Sequence, residues 1–161
     1  MLTSSVAAGG RVGAVIPAAG LERNHGSSAV VGAAVGYFLE RFRFELAYDY
    51  AGLPGKQSSA YRLDLSEFTL SCGYEVLHRP RWGVELAAGA GYTFAQRTLG
   101  TGRETGRPFA GHLGLNLVQR EGKSRLCVGL NNCLFWALRP GKGLSMIADL
   151  ITIRAGVAYV F

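Results

Sequence analysis

Charged side chains recur within segments that are otherwise apolar, and they are the first residues to consider for chemistry. The carboxylates at such positions are Glu45, Asp49, Glu67, Glu75 and Glu85, and the guanidinium groups are Arg11, Arg43 and Arg154. Clustered carboxylates can act as general acid and base. Buried charges, however, are costly unless they are paired. We therefore expect these eight side chains to form a network of ion pairs, with no catalytic residue among them.

The histidines and cysteines offer a second set of reactive groups. Of the histidines, His112 lies in a regular segment, whereas His25 and His78 lie in gaps. The odd number of cysteines argues against a disulfide framework. Cys127 and Cys133 would lie about 20 Å apart on one strand, too far to bond. No pair of His, Cys or carboxylate residues has the spacing of metal ligands, so we predict neither a metal site nor a cofactor.

The elements that carry these residues show a period of two. In the segment from Phe42 to Tyr50, large apolar residues occupy the even positions, and Arg, Glu, Ala and Asp occupy the odd ones. Such alternation indicates β-strands, and no helical period extends over a useful length. The predicted strands are 4–18, 29–39, 42–51, 65–77, 82–96, 108–118, 125–138 and 146–161. The pair Asn131-Asn132 breaks the alternation and suggests a β-bulge.

Strand length and spacing favour a membrane barrel. The strands exceed the five or six residues usual in soluble sheets and suit a membrane-spanning strand of roughly 9–11 residues. The gaps alternate between longer and shorter, as in transmembrane barrels with short periplasmic turns. All five prolines fall in gaps or at strand ends, where they interrupt no ladder.

The two faces of the strands differ in a way that favours an apolar exterior. One face is bulky, while the other carries Gly, Ala and Ser with isolated charges, which suits the narrow interior of eight strands. Aromatic residues gather at two rims, as in membrane barrels. The expected rims are Tyr37, Phe38, Phe42, Tyr74, Trp82 and Phe161 at one end, and Tyr48, Tyr50, Phe68, Tyr92, Phe94, Phe109 and Trp136 at the other.

Composition sets the limits of this interpretation. A chain of 161 residues fits one domain, 1–161. A content of 48% hydrophobic and 17% charged residues argues against a disordered chain. The uncharged runs are too short for a membrane-spanning helix, which needs roughly 18 residues. The start resembles no signal peptide, so the chain is either intracellular or a mature form with an added Met1.

The last strand carries the most specific motif. It contains the polar residue Arg154, then Gly156 two positions on, then the aromatic residues Tyr159 and Phe161 three and five positions after the glycine. In this motif the chain resembles the C-terminal insertion signal of the small eight-stranded outer-membrane barrels of Gram-negative bacteria, the group that includes the OmpA transmembrane domain and the OmpX/Ail proteins. The resemblance implies that the barrel-assembly machinery reads this signal, that the protein lies in the bacterial outer membrane, and that both termini face the periplasm.

The net charge of +6 belongs to the rims of such a barrel, so we expect no nucleic-acid partner. Arginine pairs well with phosphate, which makes the presumed outer loops candidates for contacts with lipopolysaccharide. An alternative is that these cations are merely solvated. The candidates are Arg23, Lys56, Arg62, Arg97, Arg103, Arg107, Arg139 and Lys142.

The functional expectation is a non-enzymatic barrel whose lumen is plugged by charged side chains. It would serve as a structural scaffold or as an accessory subunit of an envelope or surface complex. One alternative is an enzyme that modifies lipid A. The eight-stranded lipid A deacylases use a His, a Ser two residues on and then an Asn, but Gly114 occupies the place of the Ser after His112. A second alternative is a narrow channel for small solutes.

Overall fold

The computed structural model describes residues 4–18, 21–56, 61–139 and 143–161, and the described residues are almost entirely strand. The strands are β1 (Ser4–Ala18), β2 (Ser28–Leu39), β3 (Phe42–Pro54), β4 (Tyr61–His78), β5 (Trp82–Leu99), β6 (Gly102–Gly106), β7 (Phe109–Glu121), β8 (Ser124–Arg139) and β9 (Gly143–Val160). No helix among the described residues is long and apolar enough to cross a membrane.

Eight of these strands close into one antiparallel barrel. The order runs β4-β3-β2-β1-β9-β8-β7-β5, and pairing of β4 with β5 completes the circle. Each strand pairs with its neighbour in the chain, apart from the closing pair β1–β9 and the pair β5–β7, which skips the short β6. The predicted all-β, eight-stranded antiparallel up-and-down barrel is confirmed, and full closure leaves its barrel strands without free edges.

The barrel has two distinct ends. The turn end carries the connections 40–41, 79–81 and 122–123 together with Ser4 and Phe161. At the loop end, β1, β3, β5 and β8 end, and β2, β4, β7 and β9 begin. Several strands extend further towards the loop end than the alternation predicted. The predicted gap 97–107 instead holds a hairpin of β5 and β6, which turns at Gly100 with a φ of 59°, a conformation that glycine adopts easily.

The predicted bulge at Asn131-Asn132 is wrong. Both residues pair in regular register with β9, and the irregularity lies between Phe135 and Trp136. Asn131 points into the barrel, whereas the Asn132 side chain faces outwards and donates a hydrogen bond to Asp149 Oδ1 over 2.9 Å. The polar pair interrupts the hydrophobic pattern of β8 but leaves the backbone regular.

The outer surface is apolar. Large hydrophobic side chains are exposed around the barrel, with Leu70 and Leu113 among the most exposed at 65% and 63%. Most of the charged residues within the strands are instead buried or partly buried inside. The lateral surface therefore has the polarity of a membrane-facing barrel rather than that of a water-soluble one.

Candidate functional site: the barrel interior

Arg11 organises one half of an interior network of charges. Its guanidinium group donates to Glu45 Oε1 over 2.9 Å and to Asp49 Oδ1 over 2.7 Å. Arg154 approaches the same Asp49 carboxylate at 3.1 Å. The register of β1, β3 and β9 turns all four side chains to the interior, and they form a connected chain of alternating charges.

Arg43 organises the other half. Its Nε and Nη2 atoms contact the two carboxylate oxygens of Glu85 over 2.9 and 2.6 Å, and it also pairs with Glu45. Asn116 donates a further hydrogen bond to Glu85 over 2.9 Å. Because Glu45 contacts both Arg43 and Arg11, it joins the two halves into one network. Paired and hydrogen-bonded in this way, the buried charges avoid most of the cost of desolvation.

The two remaining predicted carboxylates have partners that the sequence analysis did not identify. Glu75 pairs with Arg120 and His78 near the turn end. The predicted strand 108–118 leaves Arg120 in a turn, but β7 extends to Glu121. The even positions of β7 face the interior, so continuing the alternation beyond position 118 would have placed Arg120 there.

Glu67 lies in a separate polar group with His112. Its Oε1 atom is 2.8 Å from His112 Nε2 and accepts a hydrogen bond from Thr93 over 3.2 Å. Cys133 Sγ lies 3.7 Å from the same histidine nitrogen. These four residues come from β4, β5, β7 and β8, and all are buried. The sequence indicated only that each of these residues faces the interior. It gave no indication that they meet, because they come from different strands.

A cavity of about 120 Å³ occupies the interior. Its lining includes Arg11, Arg43, Glu85 and His112 together with small residues. Phe38, which was predicted to belong to an aromatic rim, instead lines this cavity, and the Arg125 guanidinium lies 3.7 Å above its ring. The placement of Phe38 in the outer rim is therefore wrong, because its position shares the inward parity of Gly36.

Towards the loop end the interior is lined by large apolar side chains. The sequence pattern predicted only small residues and charges inside the barrel. Leu53 is fully buried there, and Phe135 is 3% exposed. We call this cluster the apolar plug, and Leu21 and Ala95 pack against it. Its members are Val15, Val30, Ala51, Leu53, Leu63, Leu65, Ala110, Cys133, Phe135, Ala148 and Leu150.

A loop covers the apolar plug at this end. His25 forms an isolated bridge with Gly55, the Gly26 amide donates to the Pro54 carbonyl over 2.8 Å, and the Lys56 amide donates to the Asn24 carbonyl over 2.9 Å. His25 is buried, and its Nδ1 has no hydrogen-bond partner among the described residues. The pKa of His25 is lowered by burial and by the positive charge of Arg97.

The predicted cations of the outer loops lie at the loop end where they are described. Arg23, Lys56, Arg62, Arg97, Arg103 and Arg107 are all exposed. Arg62 pairs with Asp64 at 2.8 Å, and Lys56 Nζ donates to the Glu22 carbonyl over 2.6 Å. Lys142 and the side chain of Arg139 lie outside the described residues. The six described cations form no compact cluster of contacts with one another, but they share one rim.

The residues of the C-terminal motif lie on both faces of β9. Arg154 and Gly156 face the interior, where both line the cavity, whereas Tyr159 and Phe161 are exposed on the outside with ring centroids 5.3 Å apart. The Phe161 amide donates to the Val6 carbonyl over 2.9 Å. The last residue is therefore bound to β1 at the seam that closes the barrel.

Comparison with known proteins identifies the fold. No protein-family model matches the chain, and no curated protein sequence does so either. Among solved structures, Neisserial surface protein A (NspA) is similar with a TM-score of 0.71, 16% identity and 99% coverage of both chains. The N-terminal barrel domain of Pseudomonas aeruginosa OprF gives a TM-score of 0.67, 13% identity and 97% coverage of both.

A third similar structure is the attachment invasion locus protein Ail of Yersinia pestis, in complex with the heparin analogue sucrose octasulfate. It gives a TM-score of 0.57 at 13% identity, with 98% of this chain and 97% of that chain covered. At such identities the likeness concerns the fold. The predicted resemblance is confirmed at that level: the chain has the fold of the small eight-stranded outer-membrane β-barrels.

Proposed function

We propose that the protein is a closed, non-conducting barrel of the bacterial outer membrane that acts as a structural scaffold or as an accessory subunit of an envelope complex. The observation that carries this proposal is that interior side chains lie across the lumen at two levels. A network of ion pairs centred on Arg11 and Arg43 lies in the middle of the barrel, beside the cavity of about 120 Å³, and the apolar plug lies at the loop end. A conducting path would have to cross both.

The location rests on the apolar exterior and on the fold shared with outer-membrane proteins. In the proposed orientation the turn end and both termini face the periplasm, and the loop end faces the outside of the cell. Phe161, exposed next to Tyr159, is then accessible to the barrel-assembly machinery before the seam between β1 and β9 closes.

The non-enzymatic role draws support from the position of His112. Its side chain is buried in the lumen against Glu67 and Cys133, so it does not face lipid. Gly114, which occupies the place of the serine in the lipid A deacylase pattern, carries no nucleophile. Expression of the protein should therefore leave the mass of lipid A unchanged. A mass change that depends on His112 would contradict this role.

The exposed cations at the loop end suit the phosphates of lipopolysaccharide. Guanidinium groups bind phosphate through paired hydrogen bonds. Arg97, Arg103 and Arg107 lie on or beside the β5–β6 hairpin, with Arg97 and Arg103 on its opposite faces. The similar Ail structure holds a sulfated heparin analogue, which is a polyanion of the same general chemistry. Binding of lipopolysaccharide would anchor the scaffold in the outer leaflet.

Planar-bilayer recordings test the closure. We expect no stepwise conductance from the folded protein, and stable steps would overturn the proposal.

Lipid binding is tested by Arg→Gln changes at Arg97, Arg103 and Arg107, which should weaken binding to lipopolysaccharide vesicles. The matched control changes Arg79 and Arg81 to Gln at the opposite, turn end and should bind as the unchanged protein does. Co-purification of a stable partner from native membranes would decide for the subunit role over the isolated scaffold.

A further inference from the structure

Three buried side chains of different strands bring their ligand atoms together inside the barrel. Glu67 of β4, His112 of β7 and Cys133 of β8 each offer one ligand atom, and these atoms all lie within 4.8 Å of one another. They provide one oxygen, one nitrogen and one sulfur. From this geometry we propose that the group is a binding site for a divalent transition metal of the zinc type.

The donor set selects the metal. Zn²⁺ binds Cys sulfur, His nitrogen and carboxylate oxygen, and tetrahedral sites commonly combine three protein ligands with a water molecule. The hard cations Mg²⁺ and Ca²⁺ prefer oxygen ligands throughout. A thiolate next to an imidazole therefore favours zinc over the alkaline-earth ions.

The distance between the His112 and Cys133 ligand atoms suits a tetrahedral centre. Zn–N bonds of about 2.0–2.1 Å and Zn–S bonds of about 2.3 Å place the two ligand atoms about 3.6 Å apart at a tetrahedral angle, and Cys133 Sγ is 3.7 Å from His112 Nε2. Glu67 Oε1, at 2.8 Å from the same nitrogen, must move away by about half an ångström as the metal replaces the shared proton. Binding also releases the thiol proton of Cys133.

Gly91 leaves the space in which these atoms meet. A Cβ atom at this position would lie 2.5 Å from Glu67 Oε1 and 3.1 Å from His112 Nε2. Any larger residue would therefore push the two ligands out of their present arrangement. The glycine faces the interior between β4 and β7, which is where the carboxylate and the imidazole converge.

Thr69 supplies an independent indication of a missing partner. It lies two residues after Glu67 on the same interior face, it is 6% exposed, and its Oγ1 atom has no hydrogen-bond partner among the described residues. A buried hydroxyl group without a partner is unfavourable. Thr69 and His112 line the same cavity of about 120 Å³, so a water molecule in the fourth coordination position would have room and a polar neighbour.

The surroundings allow the charge of a metal ion to be neutralised. Glu67 and Cys133 also line a smaller cavity of about 30 Å³, so the group lies between the two interior spaces. Arg154 borders both cavities and shares the Asp49 carboxylate with Arg11. The three arginines of the network are matched in number by the carboxylates of Glu45, Asp49 and Glu85. The negative charges of the Glu67 carboxylate and the Cys133 thiolate then match the two positive charges of the metal.

Metal titration of the folded protein tests the proposal. In competition with a chromophoric chelator, the unchanged protein should bind one Zn²⁺ per chain. Cys133→Ser and His112→Gln should each weaken binding by more than about 100-fold, because the loss of an outer-shell partner alone costs about 10–100-fold. The matched control is Cys72→Ser, which alters an exposed thiol and should leave the affinity unchanged.

Cobalt substitution tests directly whether a thiolate is one of the ligands. Co²⁺ bound to the unchanged protein should show a thiolate-to-metal charge-transfer band in the near ultraviolet, and Cys72→Ser should retain it. The band should be absent from Cys133→Ser. A folded protein that binds no Zn²⁺, a Co²⁺ spectrum without the thiolate band, or undiminished binding by Cys133→Ser would each overturn the proposal.

Discussion

Arg43 and Glu85 form a two-point ion pair across the intervening strand β4, with contacts of 2.9 and 2.6 Å. Glu85 is only 1% exposed. The pair spans β3 and β5 because Gly73 of β4 lies beneath it, and a Cβ atom there would approach the Glu85 carboxyl carbon to 2.4 Å. The network thus depends on the ion pair itself and on the absence of a side chain at Gly73, between Arg43 and Glu85.

Removal of the Arg43 charge should destabilise the barrel strongly. In Arg43→Met the Glu85 carboxylate stays buried without its main partner, which typically costs about 3–5 kcal/mol. Urea unfolding of the refolded protein in lipid vesicles measures the loss. The double variant Arg43→Met with Glu85→Met should recover part of it, since no charge is left unpaired. Arg62→Met, in the exposed pair with Asp64, serves as control and should change stability far less. An equal loss in Arg43→Met and Arg62→Met would contradict the network.

The space at Gly73 should matter as much as the charges. Gly73→Ala places a methyl group 2.4 Å from the Glu85 carboxyl carbon. The Arg43–Glu85 ion pair then has to separate, so unfolding should require less urea. Gly106→Ala provides the matched control, because nothing lies within 4 Å of its added Cβ. If both variants unfolded at the same urea concentration, the close approach at Gly73 would have no energetic role.

Acid should loosen the loop around His25. The pKa of this histidine is lowered in the folded protein by burial and by Arg97, against weaker opposing hydrogen bonds to the Leu53 and Pro54 backbone. A lowered folded pKa means that the neutral form is favoured, so this contribution to stability is complete above the unfolded value of about 6.5. It declines as the pH falls below that value towards the lower folded pKa.

Limited proteolysis across this pH range measures the effect. Cleavage within residues 21–27 should increase as the pH falls below about 6.5, while the barrel strands stay resistant. His25→Phe removes the titrating group, and its cleavage should not vary with pH over the same range. A variant that kept the pH dependence of the unchanged protein would assign it to another group.

Removal of Phe161 should impair insertion. The residue carries an exposed aromatic ring next to Tyr159, and its amide is bound to the Val6 carbonyl at the closing seam. Deletion should reduce the fraction of protein that reaches the outer membrane and shows a migration shift on boiling. Phe161→Trp keeps an aromatic ring and should insert normally. Normal assembly of the deletion would remove the case for an insertion signal.

Much of the fold could be predicted because period-two alternation is a local property. The residues of each strand indicate which of its faces is apolar. The alternation over 42–51, for example, is enough to predict which side chains of β3 face outwards. The strand ends were less certain: the pattern fades near the loops, and the β5–β6 hairpin depends on a turn at Gly100 rather than on hydrophobic alternation. Phe38 faces the lumen despite its aromatic ring, because its position in β2 has inward parity.

The sequence by itself determined the number of barrel strands, the apolar exterior and eight of the charged residues that turn to the interior, but not Arg120. Only the tertiary structure decided which of these side chains meet. Glu67 contacts His112 rather than an arginine, and Cys133 contacts the same histidine. Arg120 of β7 pairs with Glu75. The reason is geometric: parity fixes the face of a side chain, whereas barrel closure and strand register fix its height and its partners across the lumen.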